Sequence, residues 1–153
     1  MHLLFVCHGN ICRSTMAESV MADLLIKAKL TDKVTVDSAA TSTEEIGNPP
    51  HYGTKRELAT RGVPLRPHYA KRITVNDAEK ADIILAMDCA NVRNLRRMLP
   101  VATHSKIKLL LSFAKPGESE IADPWYTGAF DQTYEDVLAG CSALLTEIKV
   151  RLS

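Results

Sequence analysis

No apolar run in this chain approaches the ~18 residues that a membrane-spanning helix needs, so a membrane is not an expected partner. Neither charge sign dominates. The chain carries 19 Lys and Arg against 18 Asp and Glu, for a net charge of +1. Such a balance makes no broad positive field, and nucleic acid is not expected to bind. There is no internal repeat, low-complexity tract or linker. The segment from Met1 to Gly9 has no basic stretch, and its apolar run is too short for a secretory signal. A cytoplasmic, reducing setting is therefore expected, in which the four cysteines are thiols. No further Cys/His cluster completes a metal site with Cys7, His8 and Cys12, so neither metal nor cofactor is expected. The nucleotide-binding pattern G-x4-G-K-[ST] is absent too.

What is present is ordinary in amount and informative in order. The 153 residues, 46% apolar and 24% charged, suit one domain spanning residues 1–153 with a core that needs no staple. Short apolar runs alternate with helical patterns. Leu3 to Cys7, Val34 to Ser38, Ala81 to Met87 and Ile107 to Leu111 read as strands. Met16, Ala17, Val20, Met21, Leu24, Leu25 and Ala28 draw one helical face. A short helix from Thr54 is expected to end at Gly62. Asp88 reads as the N-cap of a helix that Pro100 stops, and Tyr134 to Leu152 carries a last apolar stripe. Thr41 to Gly53 is a polar loop around Gly47-Asn48-Pro49-Pro50. This alternation predicts an α/β fold with a four-stranded parallel sheet flanked by helices on both faces. In such sheets ligands bind beyond the carboxyl ends of the strands, and the first such end is Cys7.

The segment Cys7-His8-Gly9-Asn10-Ile11-Cys12-Arg13-Ser14 follows that strand, opens a helix and holds the only C-x5-R spacing in the chain. Tight-loop backbone N–H groups and a helix N-terminus together make an anion cradle. Gly9 allows close backbone approach, Asn10 tolerates a left-handed conformation, and Arg13 offers a fork for two phosphate oxygens. The same field favours the thiolate of Cys7, a nucleophile aimed at phosphorus. Ser14 is placed to donate a hydrogen bond to that sulfur. His8 is expected to contribute main chain, with its side chain in solvent. Thr15 and Glu18 fit a capping box and are assigned to the helix. A sulfur nucleophile needs a proton donor at the leaving oxygen. Asp123-Pro124-Trp125-Tyr126 supplies a carboxyl in a stiffened loop with two rings for an aryl group. Asp37 and Asp88 are weaker candidates, and His51, His68 and His104 carry no signal by spacing.

The cysteine loop resembles the signature of the low-molecular-weight protein tyrosine phosphatases, and Asp123-Pro124-Trp125-Tyr126 resembles their acid loop. Asp37 to Ser42, Ile46 to Pro50 and Met87-Asp88 are similar to the family as well, so the likeness covers nearly the whole chain. It implies metal-free hydrolysis of phosphotyrosine in proteins, with Cys7 as nucleophile, Arg13 binding phosphate and Asp123 as general acid and then base. It implies that Asn10, Ser14, Ser38 and His68 form the network supporting the loop, with Ser38 and His68 not touching substrate. Glu44, Trp125 and Tyr126 would flank the cleft. A monomer with at most weak self-association is expected. Cys12 keeps two readings. It is either a small filler behind the loop or, as the family suggests, a thiol that traps oxidised Cys7 as a disulfide. Cys89 and Cys141 are expected to be structural. Two other activities compete: a thiol-dependent arsenate reductase, which needs further relay cysteines, and an inactive phosphopeptide-binding module.

Two positions depart from the family pattern. Thr15 stands where a proline is usual. Glu44, followed by Glu45, stands where many relatives carry an aromatic wall. The two carboxylates are expected to disfavour acidic residues beside phosphotyrosine. Glu44→Tyr should therefore raise kcat/KM for acidic phosphopeptides relative to basic ones, and an unchanged ratio rejects the idea.

Overall fold

The computed structural model describes residues 1–153. Its strands are β1 (His2–Cys7), β2 (Thr35–Ala40), β3 (Ile83–Ala86) and β4 (Ile107–Leu109). Its helices are α1 (Arg13–Lys27), α2 (Tyr52–Thr60), α3 (Val75–Lys80), α4 (Cys89–Met98), α5 (Pro124–Thr127) and α6 (Phe130–Leu152). The strands form one parallel sheet in the order β2-β1-β3-β4. The expected α/β architecture is present.

Successive residues of β1 point to opposite faces, as the pleat requires. Leu3 and Phe5 enter a core built with Met16, Val20 and Met21 of α1 and Val137, Leu144 and Ile148 of α6. Leu4 and Val6 enter the other, with Ala78 of α3 and Leu95 of α4. Each fully buried large side chain contributes roughly 1.5–3 kcal/mol, so β1 is fixed from both sides. Gly140 lets α6 settle on the turn after β4, because a Cβ there would lie 2.9 Å from the Leu110 carbonyl oxygen. The chain leaves β1 toward β2 on one side and later returns to β3 on the other. The end of β1 is thus the switch point where a crevice forms.

Several boundaries differ from the sequence expectation for identifiable reasons. β3 is shorter than Ala81 to Met87, because Ala81 closes α3 and the Met87 N–H donates to Asn91 Oδ1 at 3.1 Å. β4 stops at Leu109, where a 3-10 turn buries Leu110 and Leu111. α2 starts two residues early, because His51 Nδ1 accepts from Gly53 N at 3.0 Å. Its end does carry Gly62, at φ +73°. α3 was not expected. Its Thr74 and Asp77 form a capping box over only six residues, too short for apolar periodicity to appear. The capping box assigned to Thr15 and Glu18 does not form. α1 begins at Arg13, Thr15 Oγ1 donates to the Cys12 carbonyl at 3.1 Å, and Glu18 is buried for another purpose.

Candidate active site

Four carbonyls of the loop from Cys7 to Ser14 turn outward, where each meets a donor. The Cys7 carbonyl accepts from Thr41 N at 3.0 Å, and the His8 carbonyl from Ser42 N and Ser42 Oγ at 3.1 and 2.9 Å. The Ile11 carbonyl accepts from His51 N at 2.8 Å, and that of Cys12 from Met16 N and Thr15 Oγ1, both at 3.1 Å. The amides face the other way. Asn10, left-handed at φ +61°, donates its N–H to Cys7 Sγ at 3.3 Å. The backbone N–H groups of His8, Gly9, Ile11, Cys12, Arg13 and Ser14 meet no protein acceptor. Most of these residues are buried, where such donors normally carry partners. The result is a concave set of donors around Cys7 Sγ at the start of α1, a receptor for a multi-oxygen anion.

A polar network holds this shape. Ser14 Oγ lies 3.0 Å from Cys7 Sγ and accepts from Asn10 Nδ2 at 2.8 Å. Asn10 Nδ2 also reaches Ser38 Oγ at 3.0 Å, and Asn10 Oδ1 meets His68 Nε2 at 2.6 Å. Ser38 Oγ donates to Glu18 Oε1 at 2.6 Å, and Arg66 Nε donates to Glu18 Oε2 at 3.0 Å. Glu18, Asp37 and His68 place potential ligand atoms within 4.8 Å of one another. Those positions are already served by cations, Arg66 on Glu18 and Lys71 on Asp37 at 2.5 Å. The trio is better explained as part of the loop support than as a metal centre.

Arg13 is the one nearly buried guanidinium beside the loop, with a side chain only 3% exposed. Its Nη1 donates to Asp88 Oδ2 at 2.7 Å and to the Ile121 carbonyl at 2.9 Å, and its Nη2 to Asp123 Oδ2 at 3.3 Å. Nε and one Nη2 proton are left for a ligand, a planar pair matched to two oxygens of one anion. Burial works against the charge, but Cys7, Asp88 and Asp123 outweigh it and hold the guanidinium pKa above its ordinary value.

Asp123 lies across the cleft as N-cap of α5, a single turn with Pro124 at its first position. Its Oδ1 accepts from Trp125 N at 3.0 Å. The cleft, about 100 Å³, is lined by the loop with Glu44, Glu45, Asp123, Trp125 and Tyr126. Both rings are exposed, Tyr126 at 82%. His51 stacks on Phe130 and meets Trp125 edge-on at 5.6 Å. His8 points outward and pairs with Glu44 Oε2 at 3.1 Å. Burial, then the neighbouring Cys7 and Asp123, push the Cys12 thiol up to about 12, so it is protonated near neutral pH.

A family model described as low molecular weight phosphotyrosine protein phosphatase matches residues 2–153. The chain belongs to that family. It is 39% identical over 148 residues to the low molecular weight protein-tyrosine-phosphatase YfkJ of Bacillus subtilis, spanning 96% of this chain and 95% of the relative. The YfkJ crystal structure superposes with a TM-score of 0.95 and covers 100% of this chain and 97% of its own. The human low molecular weight phosphotyrosine protein phosphatase is 41% identical over 147 residues, 94% of this chain and 92% of that one. A Drosophila arginine phosphatase also matches, at 33% identity and a TM-score of 0.89, with 97% and 98% covered.

The structure brings Cys7, Arg13 and Asp123 to one cleft, with Asn10, Ser14, Ser38 and His68 behind its surface and Glu44, Trp125 and Tyr126 at its mouth. It also shows roles that the sequence did not assign. Asp88 is an N-cap, as expected, but its second oxygen also holds Arg13. His51 braces both the loop and Trp125. Glu18 ends the network under Asn10, where an acidic residue inside an apolar helical face was the available signal. Cys141 is fully buried as expected, whereas Cys89 is only partly buried and lines a second cavity. Glu18→Ala strands Ser38 and leaves Arg66 to solvent. It should lower the unfolding free energy by about 1–3 kcal/mol, and an unchanged urea midpoint contradicts the network.

Proposed function

We propose that this protein hydrolyses phosphotyrosine in proteins, and aryl phosphate monoesters, through a phosphocysteine. The observation that carries this reading is the ring of backbone N–H groups left without acceptors around Cys7 Sγ, with the free edge of Arg13 beside it. Three phosphoryl oxygens satisfy such donors, and the sulfur then stands in line with the departing oxygen.

In the first step the Cys7 thiolate attacks phosphorus and the P–O bond to the phenol breaks. Asp123, protonated, gives its proton to the leaving oxygen. Phosphoryl oxygens accept hydrogen bonds from the free Nε and Nη2 protons of Arg13, beside the Asp123 carboxyl. Ser14 Oγ, 3.0 Å from the sulfur, stabilises thiolate when Cys7 later leaves. In the second step water attacks phosphorus, Asp123 takes its proton, the S–P bond breaks and inorganic phosphate departs. The amides and Arg13 hold the oxygens throughout, so charge is met by groups already in place. Ser38 and His68 act by fixing Asn10. Trp125 and Tyr126 supply ring faces to the phenol, and the Glu44 and Glu45 carboxylates favour basic flanking residues.

The arsenate reductase reading needs a thiol relay. Cys141 is fully buried in α6 and Cys89 lines another cavity, which favours the phosphatase. We assign Cys12, which shares the loop with Cys7, the trapping of oxidised Cys7 as a disulfide. We further assign the chain as one domain that works as a cytoplasmic monomer with at most weak self-association. No helix is long and apolar enough to cross a membrane.

The test is turnover of a phosphotyrosine peptide, a phosphoarginine peptide and p-nitrophenyl phosphate beside thiol-coupled arsenate reduction. Phosphotyrosine should be preferred and arsenate left unreduced. Asp123→Ala should lose ~10²–10⁴ in kcat on the phosphotyrosine peptide. Cys7→Ser should neither turn over nor form a phosphoenzyme, and normal turnover by that variant contradicts the mechanism.

A further inference from the structure

A cavity of about 550 Å³ lies between α4 and the edge strand β4, outside the cleft over Cys7. Its size falls within the range of small-molecule sites. Ile107, Leu109 and Phe113 give it an apolar wall. Arg93 and Arg96 from α4 and Lys108 from β4 bring three cations to it. None of the three has a carboxylate within 4.0 Å, and the single carboxylate among the lining residues, Glu118, pairs with none of them. A lysine on an edge strand is a common guard against strand addition. That accounts for Lys108 alone, and not for two arginines one helical turn apart on the facing helix. Three unpaired cations beside an apolar wall are complementary to an anion with an apolar body.

Two further lining residues, Cys89 and Glu118, tie this cavity to the catalytic cleft. The Cys89 N–H donates to Glu120 Oε2 at 2.8 Å, and Ile121 N donates to the Met87 carbonyl at 2.9 Å. Residues 87–89 and 118–121 are thus laced together. The same two segments supply Asp88 Oδ2 and the Ile121 carbonyl to Arg13 Nη1, and the second leads directly to Asp123. A ligand seated against α4 and residue 118 therefore touches both segments that position the guanidinium.

We infer that this cavity is an effector site for a small amphipathic carboxylate. Its head lies among Arg93, Arg96 and Lys108, its body covers Ile107, Leu109 and Phe113, and its occupancy alters the reaction rate at Cys7. The binding stands apart from the catalytic reading above, whereas the rate effect rests on it.

The probe is 1-pyrenebutyrate, titrated by fluorescence into the full chain with saturating orthovanadate present to fill the Cys7 loop. One saturable site is expected, retained in vanadate. It should weaken at least tenfold in Arg93→Glu/Arg96→Glu and by a smaller factor in Arg93→Gln/Arg96→Gln, which keeps the fold free of reversed charge. Saturating probe without vanadate should change kcat for p-nitrophenyl phosphate at least twofold in the wild type and not in the charge-reversed variant. No saturable binding, or binding that vanadate displaces and both variants keep, overturns the site. Binding with kcat unchanged overturns the effector role. If the wild type hydrolyses no phosphate ester at all, the catalytic reading fails while the fluorescence titration still decides the site.

Discussion

A guanidinium with almost no access to water organises this molecule. Arg13 sits at the carboxyl edge of the sheet, and an unpaired cation there would cost several kcal/mol in desolvation. Asp88, the Ile121 carbonyl and Asp123 supply the compensation, and they come from the ends of β3 and the chain after β4. The segments that follow β1, β3 and β4 therefore converge on one side chain. That convergence also leaves one edge of the guanidinium unspent, beside the sulfur of Cys7.

The loop around that sulfur is shaped by where its backbone groups go. Four of its carbonyls are taken from behind by Thr41, Ser42, His51, Thr15 and Met16, so its amides turn inward. Asn10 is the hinge of this arrangement. Its left-handed backbone aims an N–H at Cys7 Sγ, while its side chain is clamped by Ser14, Ser38 and His68. Glu18 and Arg66 anchor the far end of the clamp. Positive potential is thus concentrated at one loop of a chain whose net charge is only +1. At the mouth the sign reverses, with Glu44 and Glu45 on the rim.

Much of this was legible because the chemistry is local in sequence. Cys7 to Ser14 lie within one strand-loop-helix unit, and strand and helix periods alternate clearly enough to give the sheet. Asp123 was legible through its Asp-Pro pair and flanking rings. What stayed hidden depends on contacts between distant segments. Asp88 showed its N-cap role locally, but its second oxygen serves a residue 75 positions away. Glu18 matched a capping box by spacing, yet α1 starts at Arg13 and tertiary pairing with Ser38 and Arg66 took the carboxylate inward. α3 escaped because six residues are under two turns of pattern. The place of Cys89 beside a cavity stayed hidden because a helical position does not reveal a space formed with β4.

The central claim is that the loop is built in advance for a phosphoryl group over Cys7. A crystal structure with orthovanadate tests it most directly. The account predicts vanadium bonded to Cys7 Sγ, with its oxygens on the inward amides and the free edge of Arg13. It also predicts that the backbone of residues 7–14 stays within about 0.5 Å of its ligand-free course. Vanadate seated away from Cys7, or a loop that must rebuild to hold it, would contradict the account.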